Sequence, residues 1–261
     1  MEQGSTLVSC LLPVASTPER LARAILCYQQ QIWEHKELVV IDGGKMDLAP
    51  LLEDIPTGEL QYIRTGADID RDIISLKNIG LEMARGAHII HWDPGDWHHP
   101  ERIHHQMAHF GDGIEVNWMS GTLLHIDHPE LVHHPYADSP KAGYAGSLMH
   151  INDPEKRYAA ALRGQPDRAF LSQWDPSLAR QLSMDYAWLL VRGLAGDKRN
   201  RRRFLAGLRG SSGDMARLIW LRMRGRDRLS HPRFRLTSEA RDSFQKYLHE
   251  SGKLGIIASI S

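Results

Sequence analysis

The stretch from residue 75 to 105, SLKNIGLEMARGAHIIHWDPGDWHHPERIHH, restricts the possible folds more than any other part of the chain. Ser75 to Arg85 has the composition and spacing of a helix, and Gly86 is expected to stop it by taking the left-handed position after the last turn. Ala87 to Trp92 is a short, apolar, β-branched and aromatic run, the signature of a buried strand. Two carboxylates, Asp93 and Asp96, follow directly. Pro100 and Glu101 then suit the first turn of another helix, where proline needs no donor and an acid complements the helix dipole. The order helix, buried strand, acidic turn, helix belongs to an open α/β sheet. In such sheets ligands bind beyond the carboxyl ends of the strands, which is where the two acids stand.

The front of the chain repeats that grammar. Leu7 to Pro13 is an apolar strand, and Ser16-Thr17-Pro18-Glu19 reads as a helix start with a capping hydroxyl, an early proline and an early acid. Leu21, Ala24, Ile25 and Tyr28 follow at helical spacing. Glu37 to Asp42, ELVVID, is a second strand that ends in the turn Gly43-Gly44. Strand, helix, strand predicts a right-handed parallel crossover. At the strand end, the Asp42 carboxylate can accept an N–H from a uracil-like base edge, and it can equally cap the turn. Gln61 to Arg64 reads as a third strand, followed by a polar loop around Asp68, Asp70 and Asp72. Lys77, near the start of the next helix, can act as a point charge over phosphate oxygens.

Composition narrows the class. With 42% hydrophobic and 25% charged residues in 261, the chain can bury a core and is not globally disordered. No apolar run approaches the roughly 18 residues that read as a membrane span. Leu7 to Ala15 is too short for a signal segment and lacks a basic leader, so it is read as a strand. Cys10 and Cys27 cannot build a disulfide framework, which fits a reducing cytoplasm. The formal net charge of zero hides an asymmetry: from Arg192 onward there are 17 Lys or Arg against 6 Asp or Glu. Arg199, Arg201, Arg202 and Arg203, then Arg217, Arg222, Arg224, Arg226 and Arg228, make this tail a separate electrostatic object. It suits peripheral contact with an anionic membrane face, or a solvated helix face that pairs with the acidic front. Nucleic-acid binding is the weaker use, since aromatics are sparse beyond Trp220, Phe234 and Phe244 and no reading motif is present.

Histidines crowd the segment after the acids: His98, His99, His104, His105 and His109. His105 and His109 are four apart, but the glutamate of a zinc-peptidase helix is missing, with Gln106, Met107 and Ala108 between them. Packing or surface roles are expected instead. Asn117 to Ile126 reads as one strand through Gly121-Thr122, and His125 within it is given no ligand role. Neither a P-loop nor a Gly-x-Gly-x-x-Gly after the first strand is present, which argues against a P-loop hydrolase and a dinucleotide oxidoreductase.

Asp93-Pro94-Gly95-Asp96-Trp97, with Lys77-Asn78 before it and Pro100-Glu101-Arg102 after it, resembles the metal-binding block of GT-A glycosyltransferases, family 2 in particular. Leu11-Leu12-Pro13, the helix from Pro18 to Gln31, Trp33 and Glu37 through Gly44 resemble that family's opening. The resemblance implies an α/β GT-A fold: a Rossmann-like, mostly parallel sheet flanked by helices, here with a basic helical C-terminal extension. It divides the chain into a nucleotide-sugar-binding half at 1–125, an acceptor-binding half at 126–190 and the extension at 191–261. It implies donor contacts from Pro13, Asp42, Gly43, Lys77, Asn78 and Asp93, and a Mn²⁺ or Mg²⁺ ion held by Asp93 and Asp96. Gly95 stands where the family usually has a further acid, so weaker or differently arranged metal binding is expected. Val14-Ala15-Ser16 replaces an aromatic base contact. Gly143 to His150 resembles the segment that walls the sugar. Arg163 to Leu171 resembles the place of an acidic dipeptide opening a helix, where only Asp167 is a candidate catalytic base.

The implied activity is inverting transfer of a sugar from a nucleotide-diphosphate sugar to a hydroxyl of a glycan, lipid or protein acceptor. It would take place in the cytoplasm or at the inner face of the membrane. The alternative is a degenerate GT-A-like protein that binds a nucleotide sugar or a protein partner without turnover.

Overall fold

Strands that are apolar on both faces pair in parallel between two layers of helices, and the first half of the chain builds such a sheet. The computed structural model describes residues 6–14, 18–44, 47–65, 73–119, 122–127, 136–138, 145–159, 166–183, 186 and 189–195. The elements β1 (Val8–Val14), α1 (Pro18–Gln29), β2 (Lys36–Asp42), α2 (Ala49–Leu52), β3 (Leu60–Arg64), α3 (Ile73–Met83) and β4 (His88–His91) come first. β1 pairs in parallel with β2 and with β4, and β2 pairs in parallel with β3. The chain therefore steps outward from β1 to β3, then returns through α3 to the other side of β1. The direction of winding reverses between β1 and β4. A crevice forms at the carboxyl ends of strands where this reversal occurs.

Alternation along the strands sorts the core into two layers. Val8, Cys10, Leu12 and Val14 of β1 join Leu38 and Val40 of β2 on the face covered by Leu21, Ala24, Ile25 and Tyr28 of α1. Leu11, Val39 and Ile41 point the other way, toward Leu76 and Leu81 of α3. Each buried Leu or Ile contributes about 1.5–3 kcal/mol, and period-two alternation lets one strand serve both layers. α3 lies so close to the sheet that a Cβ on Gly80 would stand 2.1 Å from Leu11 Cδ1 and 2.5 Å from Ile41 Cδ1.

The remaining elements are β5 (Trp97–His98), α4 (Arg102–Met107), β6 (Val116–Met119), β7 (Thr122–Asp127), β8 (Tyr136–Asp138), β9 (Met149–Ile151), α5 (Pro166–Leu171), β10 (Ala179–Leu182) and β11 (Leu190–Ala195). The main sheet has seven strands in the order β10-β6-β9-β4-β1-β2-β3, and β9 is antiparallel to both neighbours. It is thus mostly parallel and takes strands from both sides of position 125. A second sheet has the order β5-β11-β7-β8.

Three local expectations change. Gly86 does not take the left-handed position, since the positive-φ glycines among the described residues are Gly95 and Gly113. Glycine is needed at 86 because a Cβ there would lie 2.7 Å from Ser9 N and 2.8 Å from Leu7 O, so the chain passes hard against β1. The single strand expected over 117–126 is two, β6 in the main sheet and β7 in the second. α4 begins at Arg102, with Glu101 as its N-cap and Pro100 just outside. The basic stretch from Arg199 to Arg228 lies outside the described residues, as do Ser16, Thr17, Asp68, Asp70, Asp72, Gly143, Tyr144 and Gln165. Among the described residues no helix is long and apolar enough to cross a membrane.

Candidate functional site

The β1/β4 reversal gathers side chains that lie far apart in sequence. β4 ends at His91, and Asp93-Pro94-Gly95-Asp96 turns the chain away, with Asp96 N donating to Asp93 O at 3.4 Å. Gly95 has φ +95° and follows a proline, which is the pattern of a type II β-turn: Pro at the second position, a positive φ at the third. That geometry explains why glycine stands here rather than another acid. Arg23 Nη1 donates to Gly95 O at 2.9 Å while its guanidinium lies 3.6 Å from the centroid of the Trp97 ring, so the turn is held from α1. Asp93 is half-buried at the rim. Asp96 is 3% exposed and is carried inward beside buried Trp97. Of the two carboxylates expected to hold a metal, Asp93 is thus the more open and Asp96 is buried. Among the described residues no three His, Cys, Asp or Glu side chains gather as a metal site.

Lys77 and Asp167, ninety positions apart, meet. Lys77 Nζ is 3.0 Å from Asp167 Oδ1, with the lysine side chain 7% exposed and the aspartate 40%. Lys77 sits in the middle of α3, not in its first turn, and its ammonium is already partnered. Asn78 is engaged by the backbone of Tyr158. Its Nδ2 donates to Tyr158 O at 2.9 Å and its Oδ1 accepts from Tyr158 N at 2.8 Å, a two-point clamp on that segment.

Asp167 owes its position to α5. Three residues on, Phe170 is fully buried and stacks on the Tyr158 ring, with centroids 4.3 Å apart and an interplanar angle of 8°. It also meets His91 and His150 at 6.0 and 5.2 Å. The i, i+3 spacing puts Phe170 and Asp167 on one helix face, so docking the ring delivers the carboxylate. Lys77 Nζ lies 4.9 Å from the centroid of the Tyr158 ring.

Behind Asp167 runs a buried polar chain that sequence reading missed. The Tyr158 hydroxyl is 3.4 Å from His91 Nδ1, His91 Nε2 is 3.3 Å from His150 Nε2, and His150 Nδ1 is 2.7 Å from Ile151 O. Burial, then the Lys77 charge, His150 and Arg102, hold His91 well below the usual imidazole range. Burial likewise lowers His150 to about 4. Both rings are neutral near pH 7. Burial and then the Asp167 and Asp93 carboxylates push the Tyr158 phenol well up. A polar residue in a fully buried strand needs a partner, so His91 in HIIHW carried a readable signal. Tyr158, outside any regular element, carried none.

The carboxyl end of β2 is more closed than expected. Asp42 is 1% exposed; its Oδ1 accepts from Gly44 N at 2.7 Å and its Oδ2 from the Tyr62 hydroxyl at 2.9 Å. As placed, it caps the turn. Pro13 is buried and pairs with Ile41 across β1 and β2. Gly43 lies against α3, where a Cβ would be 2.9 Å from Leu76 Cδ1. A cavity of about 360 Å³ is lined by Leu52, Ile55, Leu60 and Tyr62, and none of the expected site residues lines it.

The segment expected to wall the sugar is fixed by α4. Arg102, fully buried, donates from Nη2 to Gly146 O at 2.5 Å and from Nε to Gln106 Oε1 at 3.0 Å, and its Nη1 contacts His98 Nδ1. Gln106 Nε2 donates to Ser147 O at 2.9 Å. The two halves of the chain are thus clamped through backbone carbonyls.

No family model matches the sequence, and no curated protein matches it. The fold has counterparts among solved structures. The mannosyltransferase PcManGT from Pyrobaculum calidifontis, in complex with GDP-Man and Mn²⁺, is similar with a TM-score of 0.52 and 12% identity over 83% of this chain and 68% of that one. S. aureus TarS 1-349 in complex with UDP-GlcNAc is similar with a TM-score of 0.55 and 11% identity, covering 98% of this chain and 82% of that one. Against a longer TarS structure the TM-score is 0.51, and this chain spans 47% of that one, about half its length. Sheet order, reversal point and these likenesses agree: the chain has a GT-A-like glycosyltransferase fold, a mostly parallel sheet flanked by helices.

Proposed function

We propose that the protein is a glycosyltransferase that moves a sugar from a nucleotide-diphosphate donor to an acceptor hydroxyl with inversion, and that Asp167 is its base. The observation that carries this reading is the meeting of Lys77 and Asp167, ninety positions apart, beside β4, whose carboxyl end leads into Asp93. The solved neighbours carry GDP-Man and UDP-GlcNAc, which supports a nucleotide sugar as donor class.

Asp93 is the residue that would hold a Mn²⁺ or Mg²⁺ ion, since such ions are bound by one or two carboxylates together with substrate phosphates. When bound, the ion neutralises charge on the diphosphate. The protein's own groups do the rest. Lys77, paired with Asp167 at 3.0 Å, orients that carboxylate and keeps it ionised. Asp167 takes the proton of the acceptor hydroxyl as that oxygen attacks the anomeric carbon. The bond from sugar to phosphate breaks on the opposite side, and its electron pair leaves with the diphosphate. One base suffices, unlike the two flanking carboxylates of a glycosidase.

A second reading has its own observation. Asp96 is buried and the carboxylate of Asp42 is engaged within the protein, which favours a GT-A-like chain that binds a nucleotide sugar without turnover. A thermal-shift screen of UDP-, GDP- and TDP-sugars with and without Mn²⁺, paired with release of nucleoside diphosphate, separates the two. Transfer predicts a metal-dependent shift lost in Asp93→Ala, and release lost in Asp167→Asn. Binding without release in any acceptor mixture leaves the second reading, and no binding removes both.

A further inference from the structure

α5 has only six residues, too few to fix its own direction, so the place of Asp167 is decided by what its buried side chain, Phe170, rests against. That surface is chiefly the Tyr158 ring, stacked on Phe170 at 4.3 Å and 8°. His150 and His91 meet Phe170 edge-on or tilted, at 5.2 and 6.0 Å, and enclose it without setting its plane. Residue 158 belongs to no helix or strand, yet one side chain pairs both of its backbone groups. Asn78 Nδ2 donates to Tyr158 O at 2.9 Å, and Asn78 Oδ1 accepts from Tyr158 N at 2.8 Å. A primary amide offers a donor and an acceptor side by side, so it holds this peptide as a neighbouring strand would. Lys77, the residue before it, puts Nζ 3.0 Å from Asp167 Oδ1 and 4.9 Å from the centroid of the Tyr158 ring. Two consecutive residues of α3 thus reach the same carboxylate by two routes: Lys77 by charge, and Asn78 through Tyr158 and Phe170.

We propose that Asn78 is a positioning residue: it seats the Tyr158 ring, and through Phe170 that ring sets where the Asp167 carboxylate stands. α3 is a firm reference for this, since Leu76 and Leu81 are packed into the core and a Cβ at Gly80 would stand 2.1 Å from Leu11 Cδ1. Phe170 and Asp167 share a helix face at i, i+3, so a displacement of the ring is passed on to the carboxylate. Tyr158 is 3% exposed. Without the Asn78 amide its N–H and C=O would be buried and unpaired, and the segment must shift to satisfy them. The Phe170 ring then moves with Tyr158 and takes Asp167 off the acceptor hydroxyl, while Asp93 and the carboxyl ends of the strands stay where they are. Misplacing a reacting group by about 1 Å costs on the order of a hundredfold in rate.

The part Asn78 plays in turnover rests on Asp167 being the base, while the mount itself is read without turnover. The full chain is labelled with 4-fluorophenylalanine. Phe170 is one of five phenylalanines, and its ¹⁹F resonance is the one lost in Phe170→Leu. Asn78→Ala is expected to move or broaden that resonance. Asn78→Asp, which keeps the bond from Tyr158 N and loses the one to Tyr158 O, moves it less and serves if the alanine variant does not fold. In turnover, Asn78→Ala lowers kcat about ten- to hundredfold with donor KM within about twofold. Tyr158→Ala reproduces that loss, and Tyr158→Phe, which keeps ring and backbone, restores most of the rate. In an Asp167→Asn background the further loss from Asn78→Ala disappears, because the carboxylate it places is gone. A direct contact between Asn78 and the donor predicts the opposite split, a raised KM with kcat kept, and that result overturns the proposal. So does a Phe170 resonance indifferent to both Asn78 variants, or a loss that multiplies with Asp167→Asn. If the resonance responds in a chain that transfers no sugar, the reading of Asp167 as a base fails and the mount stands. If sugar is transferred and the resonance is silent, the mount fails alone.

Discussion

The sheet carries carboxylates at both of its ends, and Glu37 and Asp167 are treated in opposite ways. At the amino ends of the strands, Glu37 is fully buried and receives Ser9 Oγ at 2.5 Å, Arg85 Nε at 2.6 Å, Arg85 N at 2.7 Å and Gln61 Nε2 at 2.9 Å. Four donors match the roughly four acceptor sites of a carboxylate, so nothing is left for a ligand. Gln61 and Asn152 also cap the carbonyls of Met83 and Ala84 at the end of α3. At the carboxyl ends, Asp167 keeps 40% of its side-chain surface open beside Lys77, and Asp93 stands at the rim. A saturated carboxylate fixes the architecture, whereas one with an open face can take a proton from something that arrives.

The largest effect expected from breaking this contrast is at Asp167. Asp167→Asn keeps an oxygen for Lys77 and removes the base, so kcat for sugar transfer falls by about 10² to 10⁴ while the urea midpoint barely moves. A fall in stability with intact turnover would reverse the roles of the two ends. Glu37→Ala is the mirror test. It strands the Ser9 hydroxyl, the Gln61 amide and the Arg85 guanidinium, though Arg85 is half exposed and can turn to water. The loss of stability is then about 2–3 kcal/mol, below the range for a wholly buried pair, with the KM for donor unchanged.

Acid separates the ends without mutation. Burial lowers His91 and His98 well below 6.5 and takes His150 to about 4, so the unfolded chain binds protons that the folded one does not. Their stabilisation is complete above the unfolded value of 6.5 and is lost as pH falls from there toward about 4, by up to about 1.4 kcal/mol per pH unit for each imidazole. Glu37 follows later. Burial raises its pKa, but bonds from Ser9, Arg85 and Gln61 outweigh that and bring it below 4.5, so its contribution holds above 4.5 and fades beneath it. A urea midpoint that falls steadily between pH 6.5 and 4.5 is the expected curve. A flat one over that range would mean the imidazoles are charged in the fold.

What the sequence made legible follows this same division. β1, β2 and β4 announce themselves as apolar runs between turn residues, and their reversal point follows from their order, so the crevice and Asp93 could be anticipated. Asp167 could be named only through the family resemblance of Arg163 to Leu171, since an acid at a helix start is by itself a structural feature. The saturation of Glu37 could not, because its partners come from positions 9, 61 and 85 and the residue reads as the polar head of a strand. Nor could the second sheet, in which β5 has two residues and pairs with β11 across more than ninety positions. The burial of Asp96 was not legible either, because it depends on where a turn points, which residue identity does not reveal. The pairing of Lys77 was hidden for a related reason, since its partner is supplied by a helix docked through Phe170.

The smallest expected effect concerns Gly95, where the turn and the resemblance pull in different directions. Gly95→Asp would restore an acid at the position where the family usually has one, and on composition alone it should strengthen dependence on Mn²⁺. The backbone argues otherwise. At φ +95° a side chain is strained, and a Cβ would meet Arg20 Cδ at 3.2 Å, a contact the arginine stem must relieve by moving a few tenths of an ångström. The left-handed side costs an ordinary residue about 1–2 kcal/mol, with Asp toward the lower end because its short polar side chain bonds locally. In a chain of this length that lowers the melting temperature by roughly 2–4 °C for each kcal/mol. The expected outcome is a melting point a few degrees lower and no tighter Mn²⁺ response, since the new carboxylate lies on the Arg20 side of the turn. A tighter response would show that the turn can rearrange into a second ligand for the rim, and would bring the open end of the sheet closer to the saturated one.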